Sequence, residues 1–161
     1  MWFALACAAP EVPTDSAAPT TDVGCDSGPV TLDLAQPGTS YGLSDGDSIL
    51  YGQPSQGGPP YVPFRVRMTG MTGLAAGALI DVQLVDMELG PIGSALLTQG
   101  YVCANAGADV GHWVGAEVHA RTPDWTLEAL EGRLVEVTAT LTAADGTVAF
   151  DGYTGTMALL P

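Results

Sequence analysis

The chain has 161 residues, and its 18 acidic side chains outnumber its 4 basic ones, which gives a formal net charge of −14. This length is typical of one folded domain, and an apolar content of 47% can supply a hydrophobic core. Nucleic-acid binding needs a basic face that neutralises phosphates, so we expect no nucleic-acid partner for so acidic a chain. No apolar run reaches the length of a transmembrane helix.

The first seven residues are mostly apolar and end in small side chains and a cysteine, Ala4-Leu5-Ala6-Cys7. This tetrapeptide resembles the lipobox of bacterial lipoproteins, in which the signal segment is cleaved before the cysteine. The resemblance implies that Cys7 is lipidated and that an N-terminal lipid anchor makes the membrane a partner of the protein. The alternative is an apolar N-terminus whose single cysteine has no such role.

Residues 8–28 are rich in Pro, Thr, Ser, Asp and Ala and contain no aromatic side chain. Such a segment buries too little apolar area to offset its chain entropy, so we predict a disordered tether. We therefore assign residues 1–28 to a short lipoprotein-type signal and tether. Residues 29–161 are assigned to a folded domain.

The folded domain is predicted to contain about nine short strands, because apolar and polar side chains alternate in many short runs between Gly/Pro turns. The predicted strands lie at residues 30–34, 49–51, 62–68, 80–84, 95–103, 114–118, 134–142, 148–150 and 154–159. One helical turn is expected near Leu127 and Leu130. The absence of long helical periodicity indicates an all-β sandwich or barrel.

The clearest element is a hairpin between Leu134 and Phe150. Its first strand places Val135, Val137, Ala139 and Leu141 on one face and polar residues on the other. Asp145-Gly146 matches the two central residues of a type I′ turn, which both need positive φ. A two-residue turn would return Val148 and Phe150 to the apolar face.

A longer segment resembles the last third of immunoglobulin-like bacterial modules, in which a Leu-x-Gly corner precedes the penultimate strand and an Asp-Gly turn follows it. Here the corner is Leu130-Glu131-Gly132, and the turn is Asp145-Gly146. The whole chain is similar to bacterial lipoproteins that carry such a domain. The resemblance implies an antiparallel two-sheet immunoglobulin-like sandwich of about 7–9 strands, located in the cell envelope at the outer membrane or cell surface.

The lipoprotein resemblance also implies a role for each of the three cysteines. If Cys7 is acylated, Cys25 and Cys103 remain as a pair, which an oxidising envelope would join in a disulfide. The alternative is two unpaired cysteines.

No catalytic motif is recognisable in the sequence. Cys103 with His112 or His119 could form a nucleophile pair, but no third group at a known spacing would orient it. Asp45-Gly46-Asp47 offers two oxygen ligands to calcium, which needs six or more, so a simple turn is the better interpretation. We therefore expect no enzyme activity, metal or cofactor, and a hydrolase is the less favoured interpretation.

The predicted ligand contact lies on the strand at residues 114–118. If Val114 and Val118 face the core, then Trp113, Glu117 and His119 share the outer face. An exposed aromatic beside polar groups suits a protein or glycan ligand. The alternative places Trp113 over the edge of the core. The favoured function is a non-catalytic binding or structural module, with a carbohydrate-binding module as the alternative.

Overall fold

A computed structural model describes residues 25, 28–71, 77–98, 100–104, 107–115 and 117–161. Cys7 and most of the predicted tether therefore lie outside the described residues. The strands are β1 (Thr31–Ala35), β2 (Ser48–Tyr51), β3 (Tyr61–Thr69), β4 (Leu79–Asp86), β5 (Gly90–Leu97), β6 (Val102–Cys103), β7 (Trp113–Val114), β8 (Val118–Arg121), β9 (Leu134–Thr142) and β10 (Val148–Leu159). Helix α1 is the single turn Leu127–Leu130, and a 3-10 turn spans Gly107–Asp109. The described residues include no helix long and apolar enough to cross a membrane.

The strands form one hydrogen-bonded path in the order β2-β10-β9-β4-β5-β8-β3-β7-β6, and β1 pairs with β3 off this path. β2 runs parallel to β10, and the other pairs are antiparallel. The all-β prediction is thus confirmed, with a mixed rather than purely antiparallel sheet.

β3 is the junction of the molecule. Its first half, Tyr61 to Phe64, pairs with β8, and its second half, Arg65 to Thr69, pairs with β1. Gly52, just after β2, also forms a bridge to Tyr61. β5 meets β8 only through the pair Ser94 and Arg121. These pairings close the sheet path around one interior.

The inward faces of the strands fill that interior with fully buried apolar side chains. They include Leu34, Ile49, Phe64, Val66, Val82, Leu84, Val137 and Leu141. Like Thr122, the polar residue Gln36 is also fully buried. Its Nε2 donates to the Leu50 carbonyl at 2.9 Å, and its Oε1 accepts from the Leu50 N–H at 2.8 Å. Gln36 therefore joins the segment after β1 to β2, where no strand ladder does so.

The predicted hairpin is formed by β9 and β10, but its turn differs from the prediction. Gly146 has a φ of +87°, whereas no non-glycine residue in the described segments has a positive φ. The Gly146 N–H donates to the Ala143 carbonyl at 2.9 Å, and the Ala143 N–H donates to the Thr147 carbonyl at 2.8 Å. The loop is therefore a type I turn followed by a left-handed glycine, which contains three residues instead of two.

The extra loop residue reverses the predicted faces of β10. Thr142 pairs with Val148, so Ala149, Tyr153 and Met157 point inward and are buried. Val148 is 45% exposed and Phe150 is 73% exposed. The predicted apolar face of the return strand was wrong, because a shift of one residue moves every side chain to the other face.

Two predicted strands are also divided. The stretch at residues 95–103 contributes to β5, which begins earlier at Gly90, and to the separate strand β6. The stretch at residues 114–118 is split between β7 and β8. Gly115 lies in the gap, where its N–H donates to the Val66 carbonyl and a Cβ would overlap the Val66 side chain. β7 and β8 both pair with β3, but the register shifts by one residue between them, so the predicted strand is interrupted beside Gly115.

Candidate functional site

The structure brings two of the three predicted ligand contacts together. His119 Nε2 and Glu117 Oε1 are 2.6 Å apart, and both side chains are 44% exposed. The His119 ring stacks on Tyr61 with a centroid distance of 4.4 Å and an interplanar angle of 24°. The β3–β8 register places His119 opposite Pro63, diagonally beside Tyr61. An aromatic surface with an adjacent carboxylate is the result.

Trp113 lies apart from this pair. It is opposite Met68 on β3, whereas His119 is opposite Pro63, and five residues of strand span about 17 Å. Trp113 is partly buried and packs against the hydrophobic core. This position corresponds to the alternative in which Trp113 covers the edge of the core. The outer face predicted to be common to Trp113, Glu117 and His119 is not continuous, because the strand is interrupted at Gly115.

Cys25 and Cys103 form a disulfide with a Cα–Cα distance of 6.0 Å, so the predicted pair is present. Cys25 is fully buried, and its carbonyl accepts a hydrogen bond from the Gly70 N–H at 3.0 Å. Cys103 lies in β6, which pairs with β7. The bond therefore connects the segment before β1 to the β6–β7 edge, beside the end of β3.

A second polar group, the arginine cluster, consists of Tyr41, Arg65, Arg67 and Asp33. The guanidinium carbons of Arg65 and Arg67 lie 5.2 and 4.4 Å from the centroid of the Tyr41 ring. Arg67 also donates to Asp33 Oδ2 from Nε at 3.1 Å and from Nη2 at 2.8 Å. Two guanidiniums are thus held at one aromatic ring, where cation–π attraction favours both of them.

The partners of Arg65 are different. Its Nη2 donates to the neutral Thr39 carbonyl at 2.7 Å. Its Nε is buried and has no hydrogen-bond partner among the described residues. A cavity of about 390 Å³ opens beside Arg65, and its lining consists of Thr39, Ser40, Tyr41, Arg65, Arg67 and Asp109.

The cavity walls carry both signs of charge. Burial and then the charge of Asp109 raise the pKa of the Tyr41 hydroxyl, although the two guanidiniums act in the opposite direction. Tyr41 therefore remains a neutral hydrogen-bond donor at physiological pH. The arginines supply donors on the β3 side, and the Asp109 carboxylate supplies an acceptor.

Sequence reasoning did not single out this cluster, although part of its signal was present. Arg65 and Arg67 are two of only four basic residues, and they lie two positions apart in a predicted strand. That spacing places them on one face. Tyr41 comes from the loop after β1, so its position could be known only from the fold.

The remaining charged side chains mainly support turns. Asp45 Oδ1 accepts from the Thr154 N–H at 2.7 Å, and Asp47 Oδ2 accepts from the Ser44 N–H at 2.9 Å. Both carboxylates of the Asp45-Gly46-Asp47 motif thus bind backbone. Within the described part of the chain, no three His, Cys, Asp or Glu side chains are grouped as metal ligands would be.

Asp86 is buried in the turn between β4 and β5. Its Oδ1 accepts from the Glu88 and Leu89 N–H groups at 2.9 Å each, and Arg133 lies 3.2 Å from its Oδ2. Burial alone would raise the pKa of Asp86, but these N–H groups and the Arg133 guanidinium outweigh it and lower the pKa below its ordinary value. The ionised carboxylate therefore stabilises this turn.

A scan against protein-family models found no match, and a search of curated proteins found none with significant similarity.

Proposed function

We propose that the protein is a non-catalytic binding or structural module that a lipid on Cys7 anchors in the cell envelope, at the outer membrane or cell surface. The observation that carries this proposal is the Cys25–Cys103 disulfide. Disulfides persist in oxidising compartments outside the cytosol, which supports an envelope location. The bond also leaves Cys7 as the remaining cysteine of three, and Cys7 is the residue in the lipobox-like motif.

An immunoglobulin-like sandwich is part of the proposal. In that fold, strands A, B and E share one sheet, and strands C, F and G share the other. The pairs β1–β3 and β3–β8 fit the first sheet, and β4–β9 and β9–β10 fit the second. β4 lacks the tryptophan of antibody domains, and the disulfide joins other positions, so the support concerns strand pairing rather than these two hallmarks.

The non-catalytic role is supported by the state of the candidate reactive groups. Cys103 is oxidised, so it offers no thiolate to the Cys/His pair considered from the sequence. His119 is engaged by Glu117 and Tyr61, and His112 Nδ1 lies 3.2 Å from the Val110 carbonyl. Among the described residues, neither histidine therefore has a free thiol to activate.

Lipidation is tested by expressing the gene in a bacterium fed a fatty-acid analogue. The wild type should be labelled and should sediment with membranes, and Cys7→Ser should be unlabelled and released. Cys103→Ser is the control, because it removes a cysteine outside the motif and should keep the label. An unlabelled, soluble wild type would contradict the proposal.

A second candidate function is glycan binding at the surface formed by Tyr61, Glu117 and His119. The stacked rings and adjacent carboxylate favour it, because aromatic faces pack on sugars while carboxylates accept their hydroxyl groups. Tyr61→Ala should abolish binding to a glycan array. Phe150→Ala removes an exposed aromatic elsewhere and serves as the control. Equal binding by wild type and Tyr61→Ala would exclude this surface.

A further inference from the structure

We propose that the arginine cluster is a binding site for the carboxylate of a small hydroxy acid, such as a sugar acid, in the cavity lined by Ser40, Tyr41, Arg65 and Asp109. This inference extends the proposed binding role. It does not depend on the lipid anchor, so either proposal can fail without the other.

The first argument concerns charge. Arg67 is neutralised by Asp33 at 2.8 Å. Arg65 is also partly buried, yet no carboxylate of the described residues lies within ion-pair distance of it. A partly desolvated charge without a counter-ion costs free energy, which a bound anion would recover. The cluster therefore has one positive charge to offer a ligand.

The second argument concerns which anion fits. Asp33 and Asp109 flank the arginines and would repel a doubly charged phosphate or sulfate more strongly than a singly charged carboxylate. One uncompensated guanidinium matches a singly charged carboxylate, whose planar geometry suits arginine. Ser40 and the Asp109 carboxylate also line the cavity and can bind the hydroxyl groups of the acid. A monocarboxylate with hydroxyl groups thus satisfies both sides of the cavity.

The third argument concerns preorganisation. Arg65 is held by the Thr39 carbonyl at 2.7 Å, and Arg67 is held by Asp33, with the Tyr41 ring packed against both. Arginines that are already ordered lose little rotamer entropy when a ligand binds. A volume of about 390 Å³ falls within the usual range for small-molecule sites.

The direct test is a titration of the full oxidised 161-residue chain, labelled with ¹⁵N, in which the arginine Nε–H resonances are observed by NMR. The Nε–H of Arg65 is buried, so it should exchange slowly with water and give a resolved signal. Sodium glucuronate and sodium acetate should both shift this signal saturably, whereas glucose and sodium chloride at equal ionic strength should not. The proposal would be overturned if neither carboxylate shifted the signal saturably. It would also be overturned if inorganic phosphate bound more tightly than the carboxylates.

Variants locate the site. Arg65→Gln should abolish glucuronate binding, and Arg65→Lys should weaken it by about tenfold, because lysine keeps the charge but loses the planar pair of donors. Arg121→Gln removes the same charge from an exposed position outside the cavity and should change affinity by less than about twofold. Equal weakening by Arg65→Gln and Arg121→Gln would show a non-specific charge effect and overturn the assignment. If Arg65→Gln does not fold, Arg65→Lys and the wild-type titration still decide the question.

Discussion

The outer surfaces of the molecule differ in how their side chains are held. The β9 face consists of Thr138, Thr140 and Thr142 on β9 with Val148 and Phe150 on β10. Only the register of the two strands brings these side chains together. The β3 face, formed by Asp33, Tyr61, Arg65, Arg67 and His119, contains an ion pair, a ring stack and a shared cation–π contact. The β9 face follows from simple alternation, whereas directional contacts between distant segments build the β3 face. Ordered polar groups of this kind are what a binding surface requires.

Removing the disulfide should have the largest effect, and it should act on the side of the molecule that contains β3. Cys25 and Cys103 are 78 residues apart, so the chain-entropy model gives a loss of roughly 4 kcal/mol on reduction. For a domain of this size, the melting temperature should fall on the order of 10 °C. Calorimetry with and without reductant measures this change. The double variant Cys25→Ser/Cys103→Ser is the control, and its melting temperature should not respond to reductant.

Hydrogen exchange sharpens the comparison between the two sides. In the reduced protein, amides of β6 and β7 should lose protection before those of β9, because the bond is attached to β6. Uniform loss across both sides would contradict a local effect. Free thiols at Cys25 and Cys103 in the denatured, unreduced protein would refute the bond itself.

The next largest effect is expected at Gln36. Replacement of Gln36 by Leu keeps its approximate volume but leaves the N–H and carbonyl of Leu50 without their buried partner. The free energy of unfolding should fall by about 2 kcal/mol, as measured by urea denaturation. Gln53→Leu is the matched control, because the Gln53 amide bonds the Gly58 carbonyl in an exposed loop and should contribute less than about 0.5 kcal/mol. Similar losses in both variants would contradict the role of burial.

A smaller, pH-dependent change in the free energy of unfolding is expected at Asp86, which lies opposite Val135 of β9. Its pKa is lowered in the folded protein, so its contribution to stability is present above the ordinary aspartate pKa of about 4 and is lost as the pH falls through the lowered value. Asp86→Asn should therefore be less stable than the wild type at pH 7, and the difference should shrink below about pH 4. Denaturation at several pH values measures this difference. Gln53→Leu changes no ionisable group, so its small effect should not vary with pH in this way.

The smallest effect is expected on the β9 face. Phe150→Thr should change the free energy of unfolding by less than about 0.5 kcal/mol, because the side chain is 73% exposed. Phe64→Ala, at a fully buried phenylalanine, is the reference and should cost about 3–5 kcal/mol. A loss at Phe150 comparable to that at Phe64 would favour the two-residue turn and the opposite register.

The β9–β10 hairpin shows both the reach and the limit of sequence patterns. Alternation identified the buried side of β9, because Val135 to Leu141 repeat every second residue. The turn length could not be read in the same way, because Ala144-Asp145-Gly146 and Asp145-Gly146 are both acceptable loops with a positive φ at Gly146. Burial of Tyr153 and Met157 on β10 decides between them, and that requires the rest of the core.

The candidate sites were predictable to different degrees. Glu117 and His119 are two residues apart, so their common face was evident, and the cysteine count led to the Cys25–Cys103 pair. Trp113 was wrongly grouped with them, because the register shift beside Gly115 depends on how the chain pairs with β3 and cannot be read from alternation. The arginine cluster needs Tyr41 from a separate loop, and no local pattern encodes that contact. Local periodicity thus predicted faces, whereas contacts between distant segments required the fold.

The parallel pairing of β2 with β10 has a consequence for biosynthesis. Ser48 to Tyr51 leave the ribosome long before Thr156 to Leu159, the residues that cover their edge. Until then, one edge of β9 also lacks its neighbour, and open strand edges are templates for aggregation. The open edges of β2 and β9 are therefore covered only after the last residues of β10 have been synthesised.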